Sequence, residues 1–324
     1  MKRVVNCKAI AIGLTIGLLG SGGAFAAEEA ATEQVESTEK NIGFDFALGT
    51  ELMGGDTTYS IGGPVTFADG SVENIHFPLS ELEWPLDIWL ARLDATINIG
   101  SSWRINGVIK KNISDPDDNM KDSDWIIAPS SLDVYSESNI SDFDALIWDV
   151  DVEWVFFERP SWNVFAGVGY QYQDFEYDGA LIHQYSPSGA FNAEAFGDGS
   201  VGITYDVSYK MPYFLIGTDF QITPNFIVTG SFSYSPWVDA EDEDNHLLRN
   251  IVAKGDMDGY AYMVDIAGTY YFTTAWFLEA GFHYTKIDVD GEQKNWSDGV
   301  YSWTTYEESE STQTSGYFKL GYRF

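Results

Sequence analysis

Between Phe143 and Phe157 the chain alternates strictly: Leu146, Trp148, Val150, Val152, Trp154 and Phe156 on one parity, Asp149, Asp151 and Glu153 on the other. A period of two sends the two sets to opposite faces of an extended strand. A water-soluble core would have to bury the acids or leave the bulky apolar row in water. The pattern suits a strand standing between lipid and a polar interior. The same rhythm returns at Phe226, Val228, Phe232 and Tyr234, opposite Thr229, Ser231, Ser233 and Ser235. It closes the chain, where Phe318, Leu320, Tyr322 and Phe324 oppose Lys319, Gly321 and Arg323. The expected fold is therefore all-β, a transmembrane antiparallel β-barrel with an extended extracellular end.

The ends and the composition fit that setting. Lys2, Arg3 and Lys8 precede an apolar run from Ala9 to Leu19 and the small-residue site Ala24-Phe25-Ala26, so residues 1–26 read as a signal peptide removed before folding. Residues 27–43 carry five glutamates, lack aromatics and have no apolar period, as expected of a flexible, acidic periplasmic leader, and the barrel is expected over 44–324. The single cysteine, Cys7, leaves with the signal, which excludes disulfides and thiolate metal sites from the mature chain. Aromatic residues make up 16% of the chain, with 11 Trp and 19 Tyr, a density that suits interfacial girdles. A formal net charge of -33 disfavours nucleic acid and favours cationic peptides or proteins as partners.

Short turns such as Gly100-Ser101-Ser102, Arg159-Pro160-Ser161 and Thr223-Pro224-Asn225 alternate with long polar stretches at 114–141, 178–199 and 291–312. That is the rhythm of periplasmic turns and extracellular loops, and it divides the chain into about ten staves, longer than a bilayer requires. A barrel of that size fills its own lumen, so a general diffusion pore is not expected.

Two acidic clusters fall in the polar stretches. Asp122-Ser123-Asp124-Trp125 and Asp242-Glu243-Asp244-Asn245-His246 both space their groups by two, so Asp122 and Asp124, and likewise Asp244 and His246, share a face of an extended chain. An Asp beside a His fixes the imidazole tautomer and raises its basicity. Two close carboxyls can share a proton and hold the far side of a water. Such a set can hydrolyse a bond without a covalent nucleophile. Strict alternation from Phe232, however, puts Asp244 and His246 on the lipid-facing parity, so a β-bulge is required, and Pro236, which lacks an N–H, is the expected place. Each cluster alone is a weak signal, because acidic runs are commonly solvated faces.

Taken together, Ala47-Leu48-Gly49-Thr50, Ser80 with Leu82 and Trp84, Asp122 to Trp125, Tyr209-Lys210-Met211-Pro212-Tyr213, Tyr234 to Val238 and Asp242 to His246 resemble the omptins, a family of outer-membrane endopeptidases with a ten-stranded barrel. The resemblance implies an Asp122–Asp124 couple facing an Asp244–His246 couple across an activated water. It implies cleavage beside basic residues, with Asp242 in the substrate pocket and Asp56 as a second acidic candidate. It implies no metal and no cofactor, an outer-membrane location with the site facing outside, and activation by lipopolysaccharide held by basic residues on the outer wall. Here Asp174 and Ser208 stand at those positions, and a carboxylate repels a lipid phosphate, so the usual lipid site is not expected.

Other candidates carry less. His283 with Glu279, and Arg104, suit a polar network in the lumen, while His76 and His183 have no local partner pattern. No Gly-x-Ser-x-Gly elbow and no zinc-ligand spacing is present. The rival reading is a non-catalytic surface barrel, an adhesin or binder of cations and basic proteins, whose binding would weaken with salt.

Overall fold

A computed structural model describes residues 42–324; the expected signal peptide and nearly all of the leader lie outside the described residues. The chain forms one antiparallel sheet of fourteen strands. They are β1 (Ile42–Phe67), β2 (Val72–Asn74), β3 (Ser80–Pro85), β4 (Ile88–Ile99), β5 (Trp103–Asn112), β6 (Asn119–Asp124) and β7 (Val134–Arg159). There follow β8 (Trp162–Tyr185), β9 (Ala195–Phe196), β10 (Val201–Thr223), β11 (Phe226–His246), β12 (Ile251–Tyr271), β13 (Trp276–Ser297) and β14 (Val300–Arg323). Pairing of β1 with β14 and of β7 with β8 closes the sheet on itself, leaving a free edge only at the short β2 and β9.

Ten staves become fourteen strands because two staves are broken in two and the short β2 and β9 pair on the sides of β1 and β8. Around the lower, lipid-facing girth the circuit runs β1-β4-β5-β7-β8-β10-β11-β12-β13-β14. Higher up, β1 leaves β4 for β3, and β7 leaves β5 for β6, while β3 pairs β6. Each level is thus a ring of ten strands, and the breaks fall at Leu86-Asp87 and between Asn112 and Asn119.

The polar stretches read as loops are largely strand. β11 runs through the acidic cluster to His246, and β13 and β14 run on to a tight turn at Asp298-Gly299, both with positive φ. Above the bilayer the outer face meets water rather than lipid, so the apolar row that marks a transmembrane stave disappears while pairing continues. The projecting half gains an apolar interior instead. Tyr59, Trp84, Tyr177 and Tyr205 are buried there, with the Tyr205 ring stacked on Tyr59 at 5.1 Å and on Trp84 at 5.0 Å between centroids.

The bulge required by parity exists. Ser235 pairs Ala261 but Val238 pairs Gly259, one residue more on β11 than on β12. Below it Ser233 and Ser235 point inward and Phe232 and Tyr234 outward; above it Val238, Ala240, Asp242 and Asp244 are buried and Trp237 is exposed. One inserted residue at Pro236-Trp237 turns the acidic cluster from the outer wall into the barrel.

Candidate functional site

The bulge sets Asp242, Asp244 and His246 on the inner wall of the projecting half. Across the ring, β6 carries Asp122 and Asp124 on the inward parity begun by the buried Met120. The clusters therefore come from strands that are not neighbours in the sheet, on facing walls of one cleft.

Asp244 is buried, and its Oδ2 faces His246 Nε2 at 3.1 Å and also accepts the Tyr59 hydroxyl. A ring proton on Nε2 suits that approach to the carboxylate and leaves Nδ1 as the acceptor. Nδ1 in turn accepts from Arg249 Nη2. On the facing wall, Asp122 Oδ1 is shut from solvent without a partner. Burial and the neighbouring carboxylates of Asp124 and Asp244 push the Asp122 carboxyl up to about 8, while Arg249 and a hydrogen bond from Ser136 act the other way. Asp124 is also raised, chiefly by burial, against a hydrogen bond from Ser80 and the attraction of Arg249 and His246. At neutral pH the couple holds a proton.

Beside this cleft lies a second carboxyl pair. Asp242 Oδ1 accepts the Gly255 backbone N–H at 2.8 Å and Oδ2 the Tyr205 hydroxyl at 3.0 Å. Glu307, fully buried on β14, lies against Asp242 and accepts from Gln293 at 2.9 Å. Burial pushes Asp242 up to about 7 and Glu307 well above the usual carboxylate range, so the two share a proton when the pocket is empty. Gly255 is required here: a Cβ would land on both carboxyls.

The expectation for Asp56 is corrected. Inward residues of β1 are odd-numbered, among them Ala47, Glu51, Met53, Thr57 and Tyr59, so Asp56 faces the outer side, with Glu83 and Glu310 as its acidic neighbours. Thr57 takes the inward place and shares a hydrogen bond with Ser311 at 2.9 Å. The acid that lies beside Asp242 is Glu307, which parity carried back from Lys319 along β14 would have found. Tyr59 was legible by the same count on β1; Arg249, in the turn after β11, had no periodic signal.

The remaining histidines and Arg104 have other partners. Arg104 bonds Glu153 and Asp219 inside the lumen, and His283 lies 3.4 Å from Asp265. His76 bonds the Trp125 carbonyl, and His183 stacks on Phe196. On the outer wall, Asp174 lies opposite Ser208, in a groove shared with Asp206, Glu241, Glu243 and Lys254. Burial together with Glu176 and Glu243 raises Asp206 to about 6, and the lysines are taken up, Lys210 by Asp239 and Glu241 and Lys254 by Glu243.

A closed sheet with an apolar lipid face and a cleft of carboxyls and one imidazole above it defines the class as an outer-membrane β-barrel with a polar cleft at its projecting end. The sequence model of the Omptin family matches residues 71–320, and the chain belongs to that family. It is 24% identical to Protease 7 of Escherichia coli O157:H7 over 90% of this chain and 88% of that one. It is likewise 24% identical to the Plasminogen activator of Yersinia pestis, over 65% of this chain and 68% of that one. The solved structure of outer membrane protease OmpT from Escherichia coli superposes with a TM-score of 0.67 at 21% identity, covering 91% of this chain and all of that one.

Proposed function

We propose that this protein is an endopeptidase, with its site facing outward from the cell, that cleaves beside basic residues by an activated water. The observation that supports this most is the Asp244–His246 contact at 3.1 Å facing the unpartnered Oδ1 of Asp122. A water between the walls gives its proton to His246 Nδ1 and attacks the peptide carbonyl carbon. The proton held by the Asp122–Asp124 couple meets the oxygen that gains charge, and the imidazolium then protonates the leaving amine. Asp244 keeps the ring oriented and stabilises its charged form.

The Asp242–Glu307 pair is the basic-residue pocket of this scheme. Its donors hold both carboxyls from behind, and Glu307 Oε2, buried without a hydrogen-bond partner, is left for a guanidinium or ammonium group. Lipopolysaccharide as an activator is the weaker part of the scheme, since the outer groove offers carboxylates where a phosphate needs cations.

The test is refolded protein in detergent, with and without lipopolysaccharide, given a dibasic peptide at large excess. Turnover is expected in at least one state, with His246→Ala reducing it by roughly a hundredfold or more. Salt-sensitive binding without turnover in both states would instead establish the non-catalytic surface barrel.

A further inference from the structure

Arg249 sits in the turn Leu247–Asn250 that joins β11 to β12, three residues past His246. Its Nη2 donates to His246 Nδ1 at 2.5 Å, and its charge is felt by both Asp122 and Asp124 on the facing wall. The guanidinium therefore lies against His246, near enough to the facing couple to act on it electrostatically. We infer that Arg249 is a resident cation that latches the cleft, capping the one proton-accepting nitrogen of His246 until a substrate cation displaces it. The inference rests on the proposed role of His246 as the base.

A guanidinium stays protonated and has no acceptor atom, so the contact consumes the Nδ1 lone pair. With Nε2–H turned to Asp244, the ring is held neutral in the tautomer catalysis needs, yet unable to take a proton from water. The latch thus preserves the base while blocking it. It is also weakly held. Among the described residues Arg249 makes no ion pair within salt-bridge distance, and its contact to the ring is exposed, where such contacts carry little energy. The turn's backbone is fixed independently, by Leu247 N–H to the Gly202 carbonyl at 3.0 Å and Asp298 N–H to the Asn250 carbonyl at 3.0 Å. The side chain can leave without unfolding the turn. An arriving Lys or Arg side chain seated at Asp242 and Glu307 brings a like charge beside the cleft and repels the guanidinium, so the substrates that open the cleft are the cationic ones that pocket admits.

The experiment compares the full chain with Arg249→Ala and with Leu248→Ala, a neighbouring exposed side chain, in two measurements. One is kcat/KM on a dibasic peptide; the other, independent of turnover, is the rate at which diethylpyrocarbonate acylates His246 in the absence of substrate. Arg249→Ala is expected to raise both by roughly threefold to tenfold, the population shift that losing one exposed contact supports. Leu248→Ala is expected to change neither. Faster acylation with no turnover in any variant would keep the latch and defeat the hydrolytic reading. Unchanged acylation of His246 in Arg249→Ala would overturn the latch, and so would a fall in kcat/KM, which would make the guanidinium a stabiliser of the reaction's charge.

Discussion

The membrane-level lumen and the cleft above it are both rich in acids, and they treat them differently: most lumen acids meet a cation, while Asp149 and Asp151 are held there by the neutral donors Tyr213, Gln171 and Asn106. In the lumen, Glu51 meets Arg92 at 2.9 Å and Lys110 at 2.8 Å, while Asp94 meets Arg92 at 2.8 Å and Lys319 at 2.7 Å. Glu153 and Asp219 share Arg104. In the cleft, among the described residues, neither Asp122, Asp124, Asp242 nor Glu307 has a Lys or Arg within ion-pair distance. Compensated charge fills a barrel; uncompensated charge leaves a demand that a visitor can meet. The difference separates the part of the molecule that holds its shape from the part arranged to act.

The harshest way to break this contrast is to remove its geometric cause. Deleting Trp237 takes out the residue that shifts β11 against β12, and every side chain from Val238 to His246 then changes face. Asp242, Asp244 and His246 would leave the cleft and Asp239 and Glu241 would enter it. The expected result is complete loss of peptide cleavage and of hydrogen-exchange protection in upper β11, with protection of the membrane-level strands retained. Cleavage at the parent rate would disprove the bulge as the device that builds the site.

A smaller effect, confined to the other half, follows from Arg92→Ala. It strands Glu51 and Asp94, each left with one lysine, inside the lumen. Removing one partner of a buried network costs about 3–5 kcal/mol, which thermal unfolding in detergent would read as a lowered midpoint. If the two halves are as separable as their charges suggest, kcat/KM measured well below that midpoint stays near the parent value.

How far the sequence reveals these halves follows from what each face touches. Lipid imposes an apolar row, so Leu146 to Phe156 declared both the stave and its inward acids without ambiguity. Above the bilayer water replaces lipid, and β14 from Thr305 to Ser315 buries Glu307, Ser309, Ser311 and Gln313 with no apolar partner to mark the parity. Those residues read as loop for that reason, and Glu307 went unseen. The bulge was legible because Pro236 and the parity of His246 conflicted with a straight strand. Asp56 failed for the converse reason: resemblance suggested it, while the odd parity from Ala47 to Tyr59, available in the sequence, excludes it. The Arg249 contact depends on a turn's three-dimensional path, which no periodicity encodes.

The finest test of the contrast uses pH. Burial and neighbouring acids raise Asp122 to about 8 and Asp242 to about 7 in the folded protein, and Glu307 is also raised well above its ordinary value. A carboxyl raised by folding binds more protons in the native state than in the unfolded one between its two pKa values, so its contribution is full below the unfolded pKa, near 4, and is lost as pH rises through the folded value. Unfolding of the projecting half should therefore become easier between about pH 6 and about pH 8, by on the order of 1–2 kcal/mol. Glu307→Gln should flatten that slope, because a neutral amide can hydrogen-bond Asp242 without a proton to lose. Binding of a basic peptide should move the other way, with KM rising as pH falls through about 7 and the pocket pair takes up its proton. Stability and affinity running in opposite directions over the same window would mark Asp242 and Glu307 as carboxyls kept without a cation for a substrate's sake; parallel trends would mean that the pair only holds the wall together.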